Sequence, residues 1–127
     1  MIESIKISMF PNAKKVADPY EISIEKVVDR IRFGKSKDKI EHLRGLVNEA
    51  EQSEYKKTVL PVICFTGIFS YRADAKIIKH SGLICIDFDH LNENLIPLKE
   101  KLLKDKFTHL LFVSPRGNGL KVVVRIP

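Results

Sequence analysis

Cysteine and long apolar runs are scarce in this chain. The two cysteines, Cys64 and Cys85, lie in separate apolar runs and not in a CxxC pair. This spacing excludes a CxxC zinc or redox motif and predicts small buried thiols in a reducing compartment. Residues 1–3 lead directly into an alternating segment without a signal-peptide core, and no apolar stretch is long enough to span a bilayer. The sequence therefore predicts a cytoplasmic protein with no membrane partner.

Acidic residues are also in deficit. Lysine and arginine number 22 against 16 aspartates and glutamates, which gives a formal charge of +6 and an isoelectric point near 9.4. Such a balance favours a polyanionic partner. A chain of 127 residues is long enough for one domain, residues 1–127, with its own core. Because the sequence stops at Pro127, directly after a predicted strand, we expect this domain to be part of a longer protein.

Hydrophobic periodicity predicts an α+β fold in the order β-α-α-β-β-α-β-β. We expect a mixed, largely antiparallel sheet with the helices on one face. The predicted strands are residues 2–10, 58–65, 82–89, 109–114 and 120–126. The predicted helices run from the capping residue Ser23 to Gly34, over residues 37–53, and onward from the capping residue Asn92. Residues 66–74 are predicted as a loop, and residues 75–80 fit either a helical turn or a connector.

Two aspartates at the end of a strongly apolar strand are the most informative residues of the chain. The apolar residues of this strand run almost continuously, which predicts that both of its faces are covered. In the predicted strand Gly82–Asp89, Asp87 and Asp89 are two positions apart and therefore point to the same face. Like charges held close together repel unless a cation lies between them. Carboxylates favour a hard divalent ion, so the pair predicts a Mg²⁺ or Mn²⁺ site. The alternative is that the two acids only end the strand in water.

The segment from Ser114 to Lys121 is a glycine-rich turn with two cations. Gly117 and Gly119 allow close approach of the backbone to a ligand, while Arg116 and Lys121 could neutralise a triphosphate. The spacing is not that of a Walker A loop, and a plain hairpin turn is the alternative. In the predicted sheet this turn faces the aspartate pair, so that one side would hold metal and the other phosphates.

The loop at residues 66–72 is a third candidate site. Tyr71 and Arg72 combine an aromatic ring with a cation, a pairing suited to gripping single-stranded nucleic acid. The alternative is that Phe69 and Tyr71 pack into the core.

These motifs carry a family resemblance. The run Ile84-Cys-Ile-Asp-Phe-Asp89, followed by a helix and then Phe112-Val-Ser-Pro-Arg-Gly-Asn-Gly-Leu-Lys-Val122, resembles the first two motifs of the archaeo-eukaryotic primase and primase-polymerase superfamily. Phe65-Thr-Gly-Ile-Phe-Ser70 and His80 to Leu91 resemble the N-terminal domain that precedes virulence-associated-E-type helicase domains in replication proteins of mobile elements. The resemblance covers about residues 58–126.

The resemblance implies an RRM-like, primase-type half that binds a divalent metal and a nucleoside triphosphate near single-stranded DNA. It implies a helicase-type domain in the same polypeptide or operon. Asp87 and Asp89 would be the metal-binding, catalytic acids. The nucleotide-phosphate motif would consist of Ser114, Arg116, Gly117, Gly119 and Lys121.

Two departures from the superfamily pattern bear on catalysis. Lys121 stands where the superfamily usually has a histidine, and the third acid that belongs on a later strand is missing. Because two acids alone make a poor two-metal clamp, we expect the isolated chain to be inactive as a nucleotidyltransferase. The alternative function is a noncatalytic module for single-stranded nucleic acid with structural acids. A cyclase-like or palm domain is disfavoured, because the hairpin after the acidic strand carries no further acid.

Overall fold

The structure, a computed structural model, describes residues 5–126. Its strands are β1 (Lys6–Phe10), β2 (Tyr20–Ser23), β3 (Val62–Cys64), β4 (Gly67–Phe69), β5 (Ile77–His80), β6 (Leu83–Phe88), β7 (Thr108–Val113) and β8 (Leu120–Arg125). Its helices are α1 (Ile24–Arg32), α2 (Lys37–Gly45), α3 (Glu49–Val59) and α4 (Leu95–Leu103). The first residues of the strand predicted at 2–10 lie outside the described part. No helix within residues 5–126 is long and apolar enough to cross a membrane.

The strands form three small antiparallel sheets, ordered β2-β1-β3, β4-β5 and β6-β8-β7. The predicted α+β class is therefore confirmed, but the strands do not join in one sheet. The strands are short and are separated by turns, which accounts for this difference. Gly82, with φ of 80°, lies between β5 and β6 in the left-handed region and prevents the two from continuing as one strand.

Helix α1 begins and ends where the sequence predicts. The Ser23 hydroxyl accepts a hydrogen bond from the amide of Lys26 at 3.3 Å, which caps the helix, and Gly34 follows its end with φ of 69°. Ile24 and Val27 are buried and belong to one cluster with Ile7 of β1. Burial of this apolar face is what holds α1 against the first sheet.

The prediction of a single helix over residues 37–53 is wrong, because residues 46–48 are not helical and separate α2 from α3. Leu46 is extended, with ψ of 133°, and ends α2. Asn48 then starts α3, its side-chain oxygen accepting from the amides of Ala50 and Glu51. This cap satisfies two free amides at once and favours a new helix start over continuation. Helix α3 runs to Val59, so the strand predicted from Thr58 shortens to β3 after Pro61.

Three further differences concern short segments. Strands β2 and β4 were not predicted, and the ambiguous residues 75–80 form a 3₁₀ turn at 74–76 followed by β5. Asn92 is not an N-cap: it begins a 3₁₀ turn, with φ of 51°, and α4 begins at Leu95. Its side-chain oxygen instead accepts from the amide group of Asn118, while its backbone amide donates to the Asn118 side chain at 2.7 Å. These bonds attach the 3₁₀ turn that precedes α4 to the glycine-rich turn.

Strand β6 was predicted to be covered on both faces, and this is wrong. Leu83 is buried, but Ile84 and Ile86 are 38% and 40% exposed. The reason is that β6 lies at the edge of its sheet, while α4 packs against β7 and β8. Cys85 is consequently exposed, contrary to prediction, and Cys64 is half-buried; both are free thiols.

Candidate functional site

The register of the third sheet places an acid opposite a cation. Strand β6 pairs with β8 so that Asp87 lies directly across from Lys121. The Lys121 ammonium donates to Asp87 Oδ1 at 2.9 Å, with the two side chains 24% and 51% exposed, respectively. Thus the acidic strand and the glycine-rich segment, separated by a helix and a strand in the sequence, are direct neighbours. In the absence of a metal, Lys121 supplies the counter-charge to Asp87.

Cys85 lies beside this pair on β6. Its sulfur is 3.8 Å from Asp87 Oδ1. Although the residue as a whole is exposed, its thiol is partly shielded from water. This shielding, together with the nearby Asp87 carboxylate, raises the pKa of Cys85 to about 11. The thiol is therefore protonated at neutral pH and a poor nucleophile.

The second acid, Asp89, lies directly after β6 and against the other end of the turn. A Cβ built on Gly119 would be 2.5 Å from the Phe88 carbonyl, 3.1 Å from Ser114 Oγ and 3.4 Å from Asp89 Oδ1. The carbonyl, hydroxyl and carboxylate therefore converge on a position that only glycine can occupy without displacement. This close approach brings Asp89 and the start of the turn to one place.

The glycine-rich turn is held both from within and by α2. The Ser114 amide donates to the Gly119 carbonyl at 2.9 Å, and Gly117, with φ of 89°, donates to the Ser114 carbonyl at 2.9 Å. From α2, Arg44 donates through Nε to the Pro115 carbonyl at 3.0 Å and through Nη2 to the Ser114 carbonyl at 3.2 Å. The turn therefore has a fixed shape before any ligand binds.

Arg116 turns from the tip of the turn toward α3. Its Nη2 donates to Ser53 Oγ at 2.6 Å, while its Nε is buried and has no hydrogen-bond acceptor among the described residues. A buried donor without an acceptor is costly in free energy. Arg116 thus has capacity for a further acceptor at this place.

Helix α3 and the third sheet border a groove of about 440 Å³ that contains this chemistry. From α3 the groove is lined by Ser53, Lys56 and Lys57, and from the sheet and turn by Asp87, Arg116 and Lys121. Partial burial of the ammonium is the main cause that holds the pKa of Lys56 below its ordinary value. Repulsion by Lys121 and Arg116 adds to this effect, while Asp87 and Asp89 oppose it.

Arg44, Ser53 and Lys56 were missed by the sequence reasoning. Ser53 and Lys56 are three positions apart on α3 and therefore share a face. The pattern could have been found had α3 been recognised, because Asn48 followed by two glutamates is a helix start. No sequence signal marks Arg44 as a partner of the turn.

Of the predicted site residues, Asp87, Arg116 and Lys121 line the groove, while Asp89, Ser114, Gly117 and Gly119 belong to the turn region outside its lining. Tyr71 and Arg72 lie apart from both. Arg72 donates through its guanidinium to the Ala13 carbonyl and through its backbone amide to the Val16 carbonyl at 2.8 Å. Tyr71 is 43% exposed and forms a bridge with Ala17. Neither side chain lines the groove. Arg72 holds the connection between β1 and β2, and nucleic-acid binding by this loop stays a prediction.

Asp87 and Asp89 are the two carboxylates that the sequence predicts as metal ligands. Within residues 5–126 no group of three or more histidine, cysteine, aspartate or glutamate side chains could hold an ion. Mg²⁺ in nucleotide-binding proteins is commonly held by one or two carboxylates together with the phosphates of the ligand. Asp87 and Asp89 suit that mode, in which the ion arrives with the nucleotide, and not a site made of protein ligands alone.

A larger groove of about 480 Å³ lies between the first two helices and the edge of the core. It contains none of the site residues predicted from the sequence. Size alone does not indicate chemistry here. The smaller groove, where Asp87 meets the cations Lys56, Arg116 and Lys121, is the stronger candidate.

Comparison with known proteins identifies a family. The model of the family described as BT4734-like, N-terminal domain matches residues 54–127. The match covers more than half of the chain and includes Lys56, the two aspartates and the whole glycine-rich turn. Searches of curated proteins and of solved structures returned no match. The chain belongs to the BT4734-like N-terminal domain family.

Proposed function

We propose that this domain binds a nucleoside triphosphate together with Mg²⁺ or Mn²⁺ in the groove between α3 and the third sheet. The observation that carries the proposal is the register that sets Asp87 opposite Lys121 and brings Asp89 to Gly119. Oxygen ligands for a hard cation thereby lie beside cations for phosphate. The cationic side of the groove consists of Lys56, Arg116 and Lys121.

Binding would proceed by an exchange of ionic partners. In the free protein, Lys121 neutralises Asp87 at 2.9 Å. With a metal–triphosphate bound, Asp87 would hold the divalent ion and Lys121 would hold a phosphate. Because both new contacts replace an existing one, no charge is left unpaired. The fixed turn at 114–119 contributes backbone amides without further ordering.

The same proposal gives the domain a biological setting. It would act as the primase-polymerase-like N-terminal domain of a mobile-element replication protein in the cytoplasm. Its partners would be single-stranded DNA and a helicase-type domain in the same polypeptide or operon. The sequence resemblance supports this setting, and the free thiols Cys64 and Cys85 are consistent with a reducing compartment. The function proposed for residues 1–127 is binding, since two carboxylates do not make a two-metal centre.

Isothermal titration with Mn²⁺ and ATP tests the proposal on the wild type and on the double variant Asp87→Asn, Asp89→Asn. We expect the variant to lose about tenfold or more in Mn²⁺-dependent affinity, as for loss of one charge-assisted contact. Asp29→Asn is the matched control, because Asp29 is exposed on α1 and lies outside the groove. Equal affinities of the wild type and the double variant would contradict the site.

A second measurement in EDTA tests the exchange of partners. Asp87→Asn releases Lys121 and removes a negative charge from the groove, so metal-free ATP should bind this variant more tightly than the wild type. The same substitution thus weakens binding with Mn²⁺ and strengthens it without. The alternative function, a noncatalytic module for single-stranded nucleic acid, instead predicts DNA binding that EDTA does not change and that falls steeply with salt.

A further inference from the structure

Helix α3 presents a cation to the groove that no motif of the sequence assigns. Lys56 lies one turn beyond Ser53, the residue that accepts from Arg116 Nη2 at 2.6 Å. Lys56 is half-buried, and within residues 5–126 its ammonium forms no hydrogen bond or ion pair. A partly buried ammonium that is left without a partner is unfavourable.

Two independent observations show that this part of the groove lacks an anion. The first is the buried Arg116 Nε, which has no acceptor among the described residues. The second is Lys56 itself, a half-buried ammonium that has no partner among the described residues and lines the same groove as the cations Lys121 and Arg116. Lys121 is already paired with Asp87, so the unmet positive charge is concentrated at Lys56 and Arg116. Both side chains line the same groove, so one anion bound there would lie beside both.

We propose that Lys56 and Arg116 bind the distal phosphates of a polyphosphate chain. We call Ser53 and Lys56 of α3, together with Arg116 that bonds to Ser53, the α3 wall of the groove. This wall would distinguish tri- from monophosphates. The inference rests on the proposed function only in that the polyphosphate is that of the same nucleotide. The aspartates that would hold the metal belong to the sheet side of the groove, whereas Lys56 belongs to the helix side. A short ligand at the sheet wall leaves Lys56 and Arg116 unsatisfied, and a longer one reaches them. Each added phosphate therefore gains a charge-assisted contact.

Anion binding beside Lys56 should be linked to its protonation. An anion beside Lys56 offsets the repulsion from Lys121 and Arg116 and raises the lysine pKa toward its ordinary value. In the free protein the lysine loses its proton at a lower pH than an ordinary lysine does. Binding at alkaline pH should therefore take up protons, and affinity should fall as the pH rises through the lowered pKa of Lys56.

Titration with inorganic phosphate, pyrophosphate and tripolyphosphate in EDTA tests the α3 wall without metal or nucleoside. Lys56→Gln should weaken tripolyphosphate binding by about tenfold and phosphate binding by clearly less, because the shorter anion carries less charge and makes fewer contacts. Lys56→Arg should retain the preference for the longer chain. Lys101→Gln, an exposed lysine on α4 outside the groove, is the matched control. An equal loss for all three anions, or none, would overturn the proposal.

Proton uptake and stability separate this role from a merely structural one. At alkaline pH, wild-type binding should take up more protons than Lys56→Arg binding, and this comparison cancels the protons that the ligand itself exchanges. Without ligand, Lys56→Gln should unfold at the same or a higher temperature, because it removes a repelled charge. A large loss of stability would assign Lys56 to the fold. If the aspartate variants keep wild-type Mn²⁺-dependent ATP binding while Lys56→Gln loses tripolyphosphate, the metal site fails and the α3 wall stands.

Discussion

Strands β6 and β8 are paired along their whole length and yet differ in almost every other respect. In β8 the side chains of Leu120, Val122 and Val123 are at most 1% exposed. In β6 only Leu83 is buried to that extent, and Ile84 and Ile86 are 38% and 40% exposed. Hydrogen bonding is shared between the two strands, but burial is not.

Position in the sheet explains the difference. Strand β8 lies between β6 and β7, and Val123 on one of its faces belongs to the core cluster with Leu83 and Val27. Strand β6 has one neighbour and an open edge. The proposed site lies where the two meet, since Lys121 belongs to the buried strand and Asp87 to the exposed one. A rigid strand thus positions the cation, while the edge strand leaves the carboxylate accessible to a ligand.

Truncating one side chain in each strand should show the largest contrast. Leu120→Ala should lower the free energy of unfolding by about 2–5 kcal/mol, because Leu120 is fully buried. Ile86→Ala should cost about 1 kcal/mol or less, because Ile86 is 40% exposed. Urea unfolding with an unchanged m-value measures both. Equal losses would show that the edge strand is covered in solution and would remove the contrast.

A smaller effect is expected at the end of the pairing, where the two strands come closest to the turn. Gly119→Ala would place a Cβ 2.5 Å from the Phe88 carbonyl, so the strands must shift, at a cost of about 1–3 kcal/mol. Gly45→Ala is the control: nothing lies within 4 Å of its Cβ position at the end of α2. There, alanine should stabilise the protein by about 0.5–1 kcal/mol. If thermal unfolding found Gly119→Ala neutral, the close approach of β6 and β8 would be refuted.

The same contrast explains how much of the fold followed from the sequence. Helix α1 and strands β6, β7 and β8 were predicted with nearly correct ends, because their caps and apolar periods are strong. The break between α2 and α3 was missed because apolar spacing continues through it. It is decided locally by the Asn48 cap and by Gln52, whose amide donates to the Leu46 carbonyl at 2.7 Å. The predicted burial of β6 was wrong because an apolar run does not reveal whether a strand is central or at an edge.

The site was predictable on the sheet side and not on the helix side. Asp87, Asp89 and the turn residues lie in two short motifs whose strands pair directly, so a hairpin register brings them together. Lys56 and Arg44 reach the site through tertiary packing of α3 and α2, which no local pattern encodes. The supporting contacts, such as that of Arg44 Nε with the Pro115 carbonyl at 3.0 Å, join residues far apart in the chain.

The smallest expected effect is the coupling across the two strands at the site itself. A double-mutant cycle of Asp87→Ala and Lys121→Ala should give about 0.2–1 kcal/mol, because the carboxylate is half-exposed and well solvated. The exposed pair of Lys37 and Glu41, at 3.9 Å, should give still less and serves as the reference. Both couplings should shrink in high salt. A coupling well above that range would mean that the ligand must break a strong pair. The weak coupling expected instead lets a metal and a phosphate replace the two partners at little cost.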